Sequence, residues 1–344
     1  MSVRVQGRQQ EQIYGIAILA LVLLAAATLR MLTGRVPQED GSIGLVFALP
    51  IGEITSIRAT ATLAAAIVGG CLGLSGLAFQ VLLRNPLASP FVLGVSSGAG
   101  LGIMLGQWLA TLGGAFGVVG AVLLSGQGAF GAGLGAVLAL VIVQWLGRRL
   151  GGFDPVSLVL AGIIVSATFA AAIMLLQHLV PHGLRDDLVS WMMGRIPWSI
   201  PSGIFIASAV IMVGSCVLGI VISSALDASC LGEDEARSVG VPIDIMRIAL
   251  LVSGGALAAI AVVLAGPIAF VGLVAPHAAR ALVGSRHRIL VPASLLAGAA
   301  MLVVAETVRQ WIDLGGGRLP IGVLTALLGG PAFLVLLLRR GVRQ

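Results

Sequence analysis

The chain contains no lysine, so its twenty basic residues are all arginine. Without lysine it cannot contain the P-loop sequence G-x-x-x-x-G-K-[ST], which binds nucleotide phosphates. If ATP drives the activity of this protein, a different chain must therefore bind the nucleotide. The arginines lie at the ends of apolar runs, where positive charge sets membrane topology. The net charge of +6 is accordingly not an indication of nucleic-acid binding.

Charged residues of both signs are scarce. They make up 10% of the 344 residues, whereas a soluble domain contains about 25%. Hydrophobic residues make up 58% of the chain, and the mean hydropathy is +1.09. Because so few charges cannot cover a globular surface, the sequence predicts an all-α integral membrane protein.

Residues suited to metal or acid–base chemistry are few and scattered. Cys71, Cys216 and Cys230 have no partner at metal-ligand spacing, and two of them lie in apolar runs, which favours a role as small core residues. His178 and His182 are four positions apart, but a helix end between them favours a surface or packing role. The sequence leaves open whether these histidines touch a cargo. No H-E-x-x-H motif or nucleophile elbow is present, so no catalytic residue, metal site or cofactor is predicted.

Ten apolar runs are predicted to cross a bilayer, which takes about 20 residues in a helix. The first run has Arg30 and Leu32 where a signal peptidase needs small residues, so we interpret it as a retained helix. The eighth run is shorter than the others. The predicted spans are 13–32, 59–83, 91–109, 117–146, 155–180, 202–226, 246–265, a short one ending at 280, 290–308 and 321–338.

The distribution of arginine predicts the orientation of these spans. With ten spans and the N-terminus inside, thirteen arginines are cytoplasmic and seven are external, in agreement with the positive-inside rule. Both termini and the loop at 227–244 are then cytoplasmic. The polar stretches 34–58 and 181–201 are external loops, and the first has room for a short interfacial helix. A single transmembrane domain over 1–344 is predicted.

The loop at 227–244 is the longest polar interruption and contains five of the fourteen acidic residues. Glu233 begins the acidic first turn of a predicted short helix, where carboxylates interact favourably with the helix dipole. Gly240 is suited to end that helix, and Pro242 prevents its continuation. A short helix between two breaks can fit a groove on a partner. From these residues alone, an ordinary solvated connection is the simpler interpretation.

One acidic residue, Glu306, lies inside a predicted span, and intramembrane acids are functional candidates. Arg309 follows three positions later, so a local ion pair near the external interface is the simpler interpretation. Ion-coupled carriers usually place acids near the middle of the membrane. Since Glu306 alone comes near that position, the sequence counts against an ion-coupled secondary transporter.

Four motifs occur in the order found in one family of membrane proteins. They are RNPLASPFVLGVSSGAGLG at 84–102, GEDEARSVGVP at 232–242, GPIAFVGLVAPHAAR at 266–280 and LPIGVLTALLGGPAFLVLLLRR at 319–340. In these motifs the chain resembles the FecCD permeases, the transmembrane subunits of ABC importers for iron–siderophores and cobalamin. The resemblance extends over about 57–340. It implies the type II ABC importer permease fold with ten spans, in the cytoplasmic (inner) membrane.

The same resemblance implies partners. Such permeases work in pairs, as a homodimer or with a sibling permease, and receive cargo from an external substrate-binding protein. Two ABC ATPase subunits dock on the cytoplasmic loop between spans six and seven, whose coupling helices correspond here to 227–245. The implied contacts with the ATPase are Gly232, Glu233, Ala236, Arg237, Gly240 and Pro242.

Gate and pathway residues are implied in the same way. The Asn-Pro-Leu-Ala turn resembles the cytoplasmic gate of the family, which implies that Asn85 and Leu87 act as gate residues. The fifth and tenth spans line the path in such permeases, and small side chains there leave room for a bulky chelate. The implied lining residues are Ser157, Ser166, Thr168 and Thr325.

The external docking site departs from the family pattern. The family often has Arg-Leu-Pro-Arg before span two, and both arginines can pair with acids of the binding protein. In this chain Arg58 is present, but Ala61 replaces the second arginine. Arg309 and Arg318 are predicted to compensate at the external edge. Because an exposed ion pair contributes about 0–1 kcal/mol, the replacement predicts altered partner choice rather than loss of docking.

The predicted function is import of a metal chelate, with an Fe(III)-siderophore as the preferred cargo, driven by ATP hydrolysis on separate subunits. Haem, cobalamin and molybdate are alternative cargoes within the family, and an ion-coupled secondary transporter is the alternative of a different class. The chain itself is not predicted to be an enzyme. Its predicted partners are two ATPase subunits, a second permease, an external binding protein, membrane lipid and the chelate, without nucleic acid.

Overall fold

The structure, a computed structural model, describes residues 2–37, 43–125, 128–151, 155–181, 191–312 and 319–341. These residues form thirteen α-helices and one β-hairpin. The helical membrane fold predicted from the sequence is confirmed. In chain order the helices are α1 Ser2–Leu32, α2 Glu53–Leu82, α3 Val95–Leu112, α4 Gly114–Leu123, α5 Ala129–Gly151, α6 Pro155–Leu179, α7 Ser202–Val221, α8 Ser223–Ser229, α9 Glu233–Ser238, α10 Ile243–Ala265, α11 Val271–Val283, α12 His287–Trp311 and α13 Ile321–Gly341.

Seven of the described helices are long and apolar enough to cross a membrane, namely α1, α2, α5, α6, α7, α10 and α12. The predicted third, eighth and tenth spans correspond to α3, α11 and α13. Helix α11 has 13 residues. At about 1.5 Å per residue it is shorter than the hydrocarbon core, which is about 30 Å thick. The segment 266–270 before it is not helical and adds to its reach.

Two of the predicted spans are divided in the structure, which makes these two predictions wrong as single helices. The run at 117–146 forms α4 and α5, and Gly128 has a positive φ of 83° just before α5 begins. The run at 202–226 ends as α7 at Val221, and α8 starts separately at Ser223. Apolar residues continue across both breaks, so hydropathy did not indicate them.

A β-hairpin follows α1 directly. Strands β1 (Thr33–Pro37) and β2 (Ile43–Phe47) are antiparallel, with Thr33 opposite Phe47. Helix α2 then begins at Glu53, earlier than the predicted start at 59. The interfacial helix predicted for this loop is therefore wrong for its described residues. Arginine side chains bind this hairpin to the neighbouring helix ends, as described below.

Helix α2 lies at the centre of the bundle and packs against α10, α11 and α12. Its contact with α12 depends on glycine: a Cβ atom on Gly69 would collide with the carbonyl oxygen of Gly298, and one on Gly298 would collide with that of Gly69. A Cβ on Gly73 would likewise collide with the carbonyl oxygen of Ser294. Small residues allow helix backbones to approach closely in a membrane, where lipid supplies no hydrophobic drive.

The segment 191–201, which precedes α7, is hydrogen-bonded both to the end of α10 and to the start of α13. The backbone N–H of Arg195 donates to the carbonyl of Ala265 at the end of α10, at 2.7 Å. The N–H of Gly322 in α13 donates to Met193 at 3.1 Å. Between α10 and α11, Phe270 adopts a left-handed conformation with φ 66°, which is uncommon for a non-glycine residue. The predicted break after α10 is therefore confirmed.

Candidate functional site

Helices α8 and α9 lie between α7 and α10 at one end of the bundle, called here the loop end. Helix α9 starts after Gly232 with three acids in its first turn. Gly240 follows it with φ 84°, and its N–H donates to Arg237 at 3.0 Å. The N–H of Val241 donates to Ala236 at 3.0 Å, which completes a Schellman motif. The predicted helix end at Gly240 is confirmed.

The carboxylate of Glu233 is shared by three arginines from three parts of the chain. Its Oε1 lies 3.1 Å from Nη2 of Arg237 within α9. Its Oε2 lies 2.9 Å from Nη2 of Arg247 in α10 and 3.9 Å from Nη2 of Arg84, just after α2. Arg237 also lies 3.9 Å from Asp244. Glu233 therefore connects the short helix to α10 and to the turn after α2.

This arrangement favours the ionised form of Glu233. The hydrogen bond from Arg237 is the main cause that holds the pKa of the carboxyl below its ordinary value. Partial burial acts in the opposite direction, while the charges of Arg247 and Arg84 lower the pKa further. The side chain is 33% exposed, so solvent screens these contacts. The side chain of Arg247 is only 11% exposed, which makes its contact the best shielded of the three.

The turn at 84–90, called here the gate turn, is stabilised by backbone hydrogen bonds at the end of α2. Arg84 has a left-handed φ of 46°. Its N–H donates to Val81 at 3.2 Å, and the N–H of Asn85 donates to Gln80 at 3.1 Å, so α2 also ends in a Schellman motif. Oδ1 of Asn85 accepts from the N–H of Leu87 at 2.8 Å. Asn85 and Leu87, the two predicted gate residues, are thus both exposed, and this hydrogen bond connects them.

Helix α9 presents two kinds of surface. Ala236 is fully buried and holds the helix against the bundle. Leu231 and Val239, which flank the helix, are 79% and 70% exposed. Asp234 and Glu235 are exposed beside them. Of the residues predicted as partner contacts, Ala236 therefore faces the bundle, whereas Arg237, Gly240 and Pro242 are exposed.

A second contact ties α8 to the start of α12. Oδ1 of Asp227 accepts from the backbone N–H of His287 at 3.0 Å and lies 2.7 Å from Nδ1 of the same residue. His287 is 3% exposed. Asp227 therefore caps α12 from a neighbouring element and fixes the position of the ring.

The opposite end of the bundle, called here the hairpin end, contains a buried carboxylate. Oε1 of Glu306 accepts from Nη2 of Arg309 at 2.8 Å and from Nε2 of Gln310 at 3.0 Å. Nη2 of Arg30 in α1 lies 3.5 Å from the same oxygen. Glu306 is 1% exposed. The predicted local ion pair between Glu306 and Arg309 is confirmed.

The arginines predicted to dock a binding protein lie at this end. Arg58 is 9% exposed, and its Nη1 donates to the carbonyls of Met31 at 2.7 Å and Ala48 at 3.2 Å. Arg309 is 5% exposed and is engaged by Glu306. Both line a cavity of about 330 Å³ that opens beside the hairpin. Arg318 lies outside the described residues. The docking role stays a prediction, and a partner would reach Arg58 and Arg309 through this cavity.

Three of the four predicted pathway residues lie on α6 and one on α13. Ser157 and Thr168 are eleven positions apart, close to three full turns, so they share a face of α6. Ser166 lies on the opposite face, near Gly94. Thr168 donates to the carbonyl of Ile164 at 2.9 Å. On α13 the hydroxyl of Thr325 donates to Gly322 at 3.0 Å, so the structure does not bring these four side chains together in a single chain.

Sequence reasoning missed the contributions of Arg84 and Arg247 to the acidic site. The spacing of four between Glu233 and Arg237 was a signal for the pair within α9. Nothing in the spacing indicated that arginines 14 and 149 positions away share the same carboxylate. Of the two histidines considered for a metal, His178 is exposed and His182 lies outside the described residues. In the described part of the chain no group of three side chains could hold a metal ion.

The sequence profile of the FecCD transport family matches residues 48–339. The chain is 32% identical to the hemin transport system permease HmuU of Yersinia pestis over 349 aligned positions, which cover 97% of this chain and 98% of that protein. It is 33% identical to the vitamin B12 import system permease BtuC of Escherichia coli, with coverage of 97% and 98%.

A solved structure is also similar. It represents an inward-facing conformation of a metal-chelate type ABC transporter. The two structures superpose with a TM-score of 0.77 at 28% identity, over 95% of this chain and 99% of the other. The similarity therefore includes both the loop end and the hairpin end.

Proposed function

The chain belongs to the FecCD transport family of ABC transporter permeases, and we propose that it is the permease subunit through which an importer moves an iron(III)–siderophore chelate. Its membrane is the cytoplasmic (inner) membrane, with both termini and the loop end in the cytoplasm. ATP hydrolysis takes place on two partner subunits, and this chain supplies the path. Beyond family membership, this proposal specifies the cargo, the orientation of the chain in the membrane and the source of energy.

The observation that best supports this proposal is the position of Glu233. Its carboxylate contacts Arg237 in α9, Arg247 in α10 and Arg84 in the gate turn. A displacement of α9 therefore acts on Arg84, which directly precedes the gate residues Asn85 and Leu87. This is the connection that a permease needs if force applied at the loop end is to open or close a path.

The ATPase contact is proposed to be the outer surface of α9. Leu231 and Val239 expose large aliphatic side chains at a polar end of the bundle, outside the apolar spans. Exposed apolar groups at such a place favour a protein interface. Asp234 and Glu235 surround them with negative charge. In this arrangement Glu233 and Arg237 transmit force, while Leu231 and Val239 make the contact.

A second permease subunit is proposed to complete the path. Helix α6 exposes Leu160, Ile163 and Ile164 along one side in the single chain. In the pair, Ser157 and Thr168 on one face of α6 and Thr325 of α13 are proposed to lie near the path, whereas Ser166 packs toward Gly94 on the opposite face of α6. An external binding protein delivers the cargo at the hairpin end, where Arg58, Arg309 and Arg318 are its proposed contacts.

The choice of an iron chelate rests on the family, and other cargoes stay open within it. The relatives named for hemin and vitamin B12 support haem and cobalamin as alternatives, and molybdate is a further one. An ion-coupled carrier is less well supported. Glu306, the intramembrane acid available to such a carrier, already accepts hydrogen bonds from Arg309 and Gln310.

The test is uptake in a strain that lacks this chain. Restoring the chain is expected to restore accumulation of radiolabelled iron supplied as a siderophore chelate. Accumulation of labelled haem or cobalamin instead would contradict the proposed siderophore cargo but not the proposed permease role. A partner ATPase whose P-loop lysine is replaced is expected to abolish uptake. Uptake that survives this replacement and collapses with a protonophore would overturn the ATP-driven mechanism.

A further inference from the structure

Four large apolar side chains are exposed in and after strand β2. Leu45 and Phe47 of the strand are 39% and 62% exposed, and Leu49 and Ile51 in the link to α2 are 76% and 84% exposed. They occupy alternate positions, the spacing that places side chains on one side of an extended chain. The ten residues 43–52, IGLVFALPIG, contain no charged or hydrogen-bonding side chain. These four residues, called here the apolar row, therefore form a surface that favours an apolar partner over water.

Hydrogen bonds place the apolar row at the level where two spanning helices end. The N–H of Ala48 donates to the carbonyl of Leu32, the last residue of α1, at 3.0 Å. Nη1 of Arg58, near the start of α2, donates to the carbonyls of Ala48 and Met31. Both helices are long and apolar enough to cross a membrane. The row therefore lies beside the edge of the hydrocarbon core and not far out in water.

Tryptophan marks the same level. Trp311 is the last residue of α12, Trp198 lies shortly before α7, and both are exposed. Tryptophan is enriched where membrane helices meet the lipid headgroups. Arg35 of β1 donates to the carbonyls of Gln310 and Ile312, the residues on either side of Trp311. The hairpin is thus bonded to the protein at the depth of the headgroups.

Lipid, a binding protein and a second permease are the candidate occupants of this surface. None of the four residues of the row lines the arginine-rich cavity that is proposed for the binding protein. A partner that comes and goes would also leave the row in water between its visits. The proposed pairing helix, α6, packs mainly against α3 and α5, whereas β1 packs against α1 and α12. Lipid is present at this level at all times and is favoured on each of these grounds.

We propose that the apolar row lies in the bilayer, at the boundary between phospholipid headgroups and acyl chains, and anchors the hairpin end to that leaflet. The sheet has two strands among the described residues, so β2 has one edge without a strand partner there. An open strand edge is not tolerated in the hydrocarbon core, because its backbone groups need hydrogen bonds. The row therefore stops at the boundary, the depth that interfacial amphipathic helices also reach. Through Ala48 and Arg58, this anchor fixes the depth of α1 and α2 in the membrane.

Spin labelling of the full chain in phosphatidylcholine nanodiscs tests the depth of the row. The background is Cys216→Ala with Cys230→Ser, in which the buried Cys71 is retained. A nitroxide is attached at Leu49→Cys, and its collision rates with oxygen and with a water-soluble nickel chelate are measured. Oxygen concentrates among acyl chains and the chelate stays in water, so contact with lipid gives a high ratio of the oxygen rate to the nickel rate.

Two reference positions calibrate this ratio. Leu231→Cys is the matched control for water, because Leu231 is 79% exposed at the loop end. Val210→Cys represents the lipid core, because Val210 is exposed near the middle of α7. The ratio at Leu49→Cys is expected to lie between the two, several-fold above that at Leu231→Cys. A ratio equal to that at Leu231→Cys would overturn the proposal.

The same measurement distinguishes lipid from protein as the occupant. Low collision rates with both reagents would show that protein covers the row, and would overturn the proposal. Addition of the external binding protein is expected to leave both rates unchanged. A fall in the oxygen rate on its addition would assign the row to docking instead. If Leu49→Cys does not fold, Phe47→Cys and Ile51→Cys give the same test.

A charged substitution gives an independent measurement. Leu49→Asp transfers a carboxylate to the lipid boundary, which is unfavourable because the charge loses water. Its unfolding midpoint in nanodiscs is expected to fall, whereas Leu231→Asp, in the absence of the ATPase, is expected to change little. Equal shifts of the two variants would contradict the lipid contact.

Discussion

Arg247 reaches Glu233 across the junction between α9 and α10, with 2.9 Å between Nη2 and Oε2. The arginine side chain is 11% exposed, whereas the other two arginines on this carboxylate are 40% and 52% exposed. The ion pair with Arg247 is therefore the best shielded from solvent, whereas water competes more readily with the ion pairs of Arg84 and Arg237. This difference shapes the predictions for the loop end.

Glu233→Gln is expected to lower uptake about 10-fold, because it replaces charge-assisted hydrogen bonds with weaker neutral ones. The chain should still reach the membrane in normal amounts, since the carboxylate is partly exposed and its replacement is similar in size. Glu53→Gln is the control, because it makes the same change at an exposed acid that begins α2 at the hairpin end, outside the proposed contacts. Uptake of radiolabelled chelate measures both, and equal losses would show that Glu233 has no special role.

The contribution of Glu233 to stability should be resistant to moderate acid. Its folded-state pKa is lowered, chiefly by Arg237, from the ordinary value of 4.5. The stabilisation is therefore fully present above that ordinary value and is lost as the pH falls through the lowered folded value. The thermal unfolding midpoints of the wild type and Glu233→Gln should differ by a constant amount from neutral pH to about pH 5. A difference that vanishes already at pH 6 would contradict this assignment.

Arg84→Gly should separate stability from transport. Arg84 has a φ of 46°, a conformation that costs a non-glycine residue about 1 kcal/mol and that glycine adopts freely. The variant is expected to unfold at an equal or higher temperature in detergent. It also removes the contact between the gate turn and Glu233, so uptake should fall. Lower stability with unchanged uptake would contradict both expectations.

Leu231→Ser combined with Val239→Ser should weaken the association with the ATPase. Both side chains are exposed in the single chain, so the permease itself should fold normally. Co-purification of the ATPase with the tagged permease gives the measurement. Leu49→Ser is a useful control, since Leu49 is 76% exposed but lies between β2 and α2, at the hairpin end of the bundle. Unchanged co-purification would exclude the outer surface of α9 as the interface.

Gly298→Val should destabilise the bundle strongly. A Cβ atom at this position would collide with the carbonyl of Gly69, and overpacking of a tight core typically costs about 1–3 kcal/mol. The unfolding temperature in detergent should fall clearly. Gly214→Val in α7 is the control, because nothing lies within 4 Å of a Cβ placed there. Equal behaviour of the two variants would show that α2 and α12 do not pack in this way.

The sequence predicted the main features of the fold because hydropathy and helix punctuation are local signals. The end of α9 at Gly240 and the break after α10 were predicted correctly, since glycine and proline act on their own residues. The division between α4 and α5 was not predicted, because apolar residues continue through it. The hairpin at Thr33–Phe47 was missed because its strands are short and follow a long helix directly.

The candidate site was predicted in part for a similar reason. The motif around Glu233 identified the right loop, and its spacing indicated the pair with Arg237. The contacts with Arg84 and Arg247 depend on how α2 and α10 meet α9, and a single sequence contains no record of that packing. The burial of Arg58 was likewise hidden, because its partners are backbone carbonyls that every residue possesses.

Two arginines at the hairpin end have a mechanical consequence. Arg35 donates to the carbonyls of Gln310 and Ile312 at the end of α12, and Arg58 donates to that of Met31 at the end of α1. These bonds make the ends of α1 and α12 and the start of α2 behave as one stiff block. In the proposed transport cycle, a rocking motion would pivot at this block. Displacement would then be smallest beside the hairpin and largest at the loop end, where α9 is the proposed contact of the ATPase.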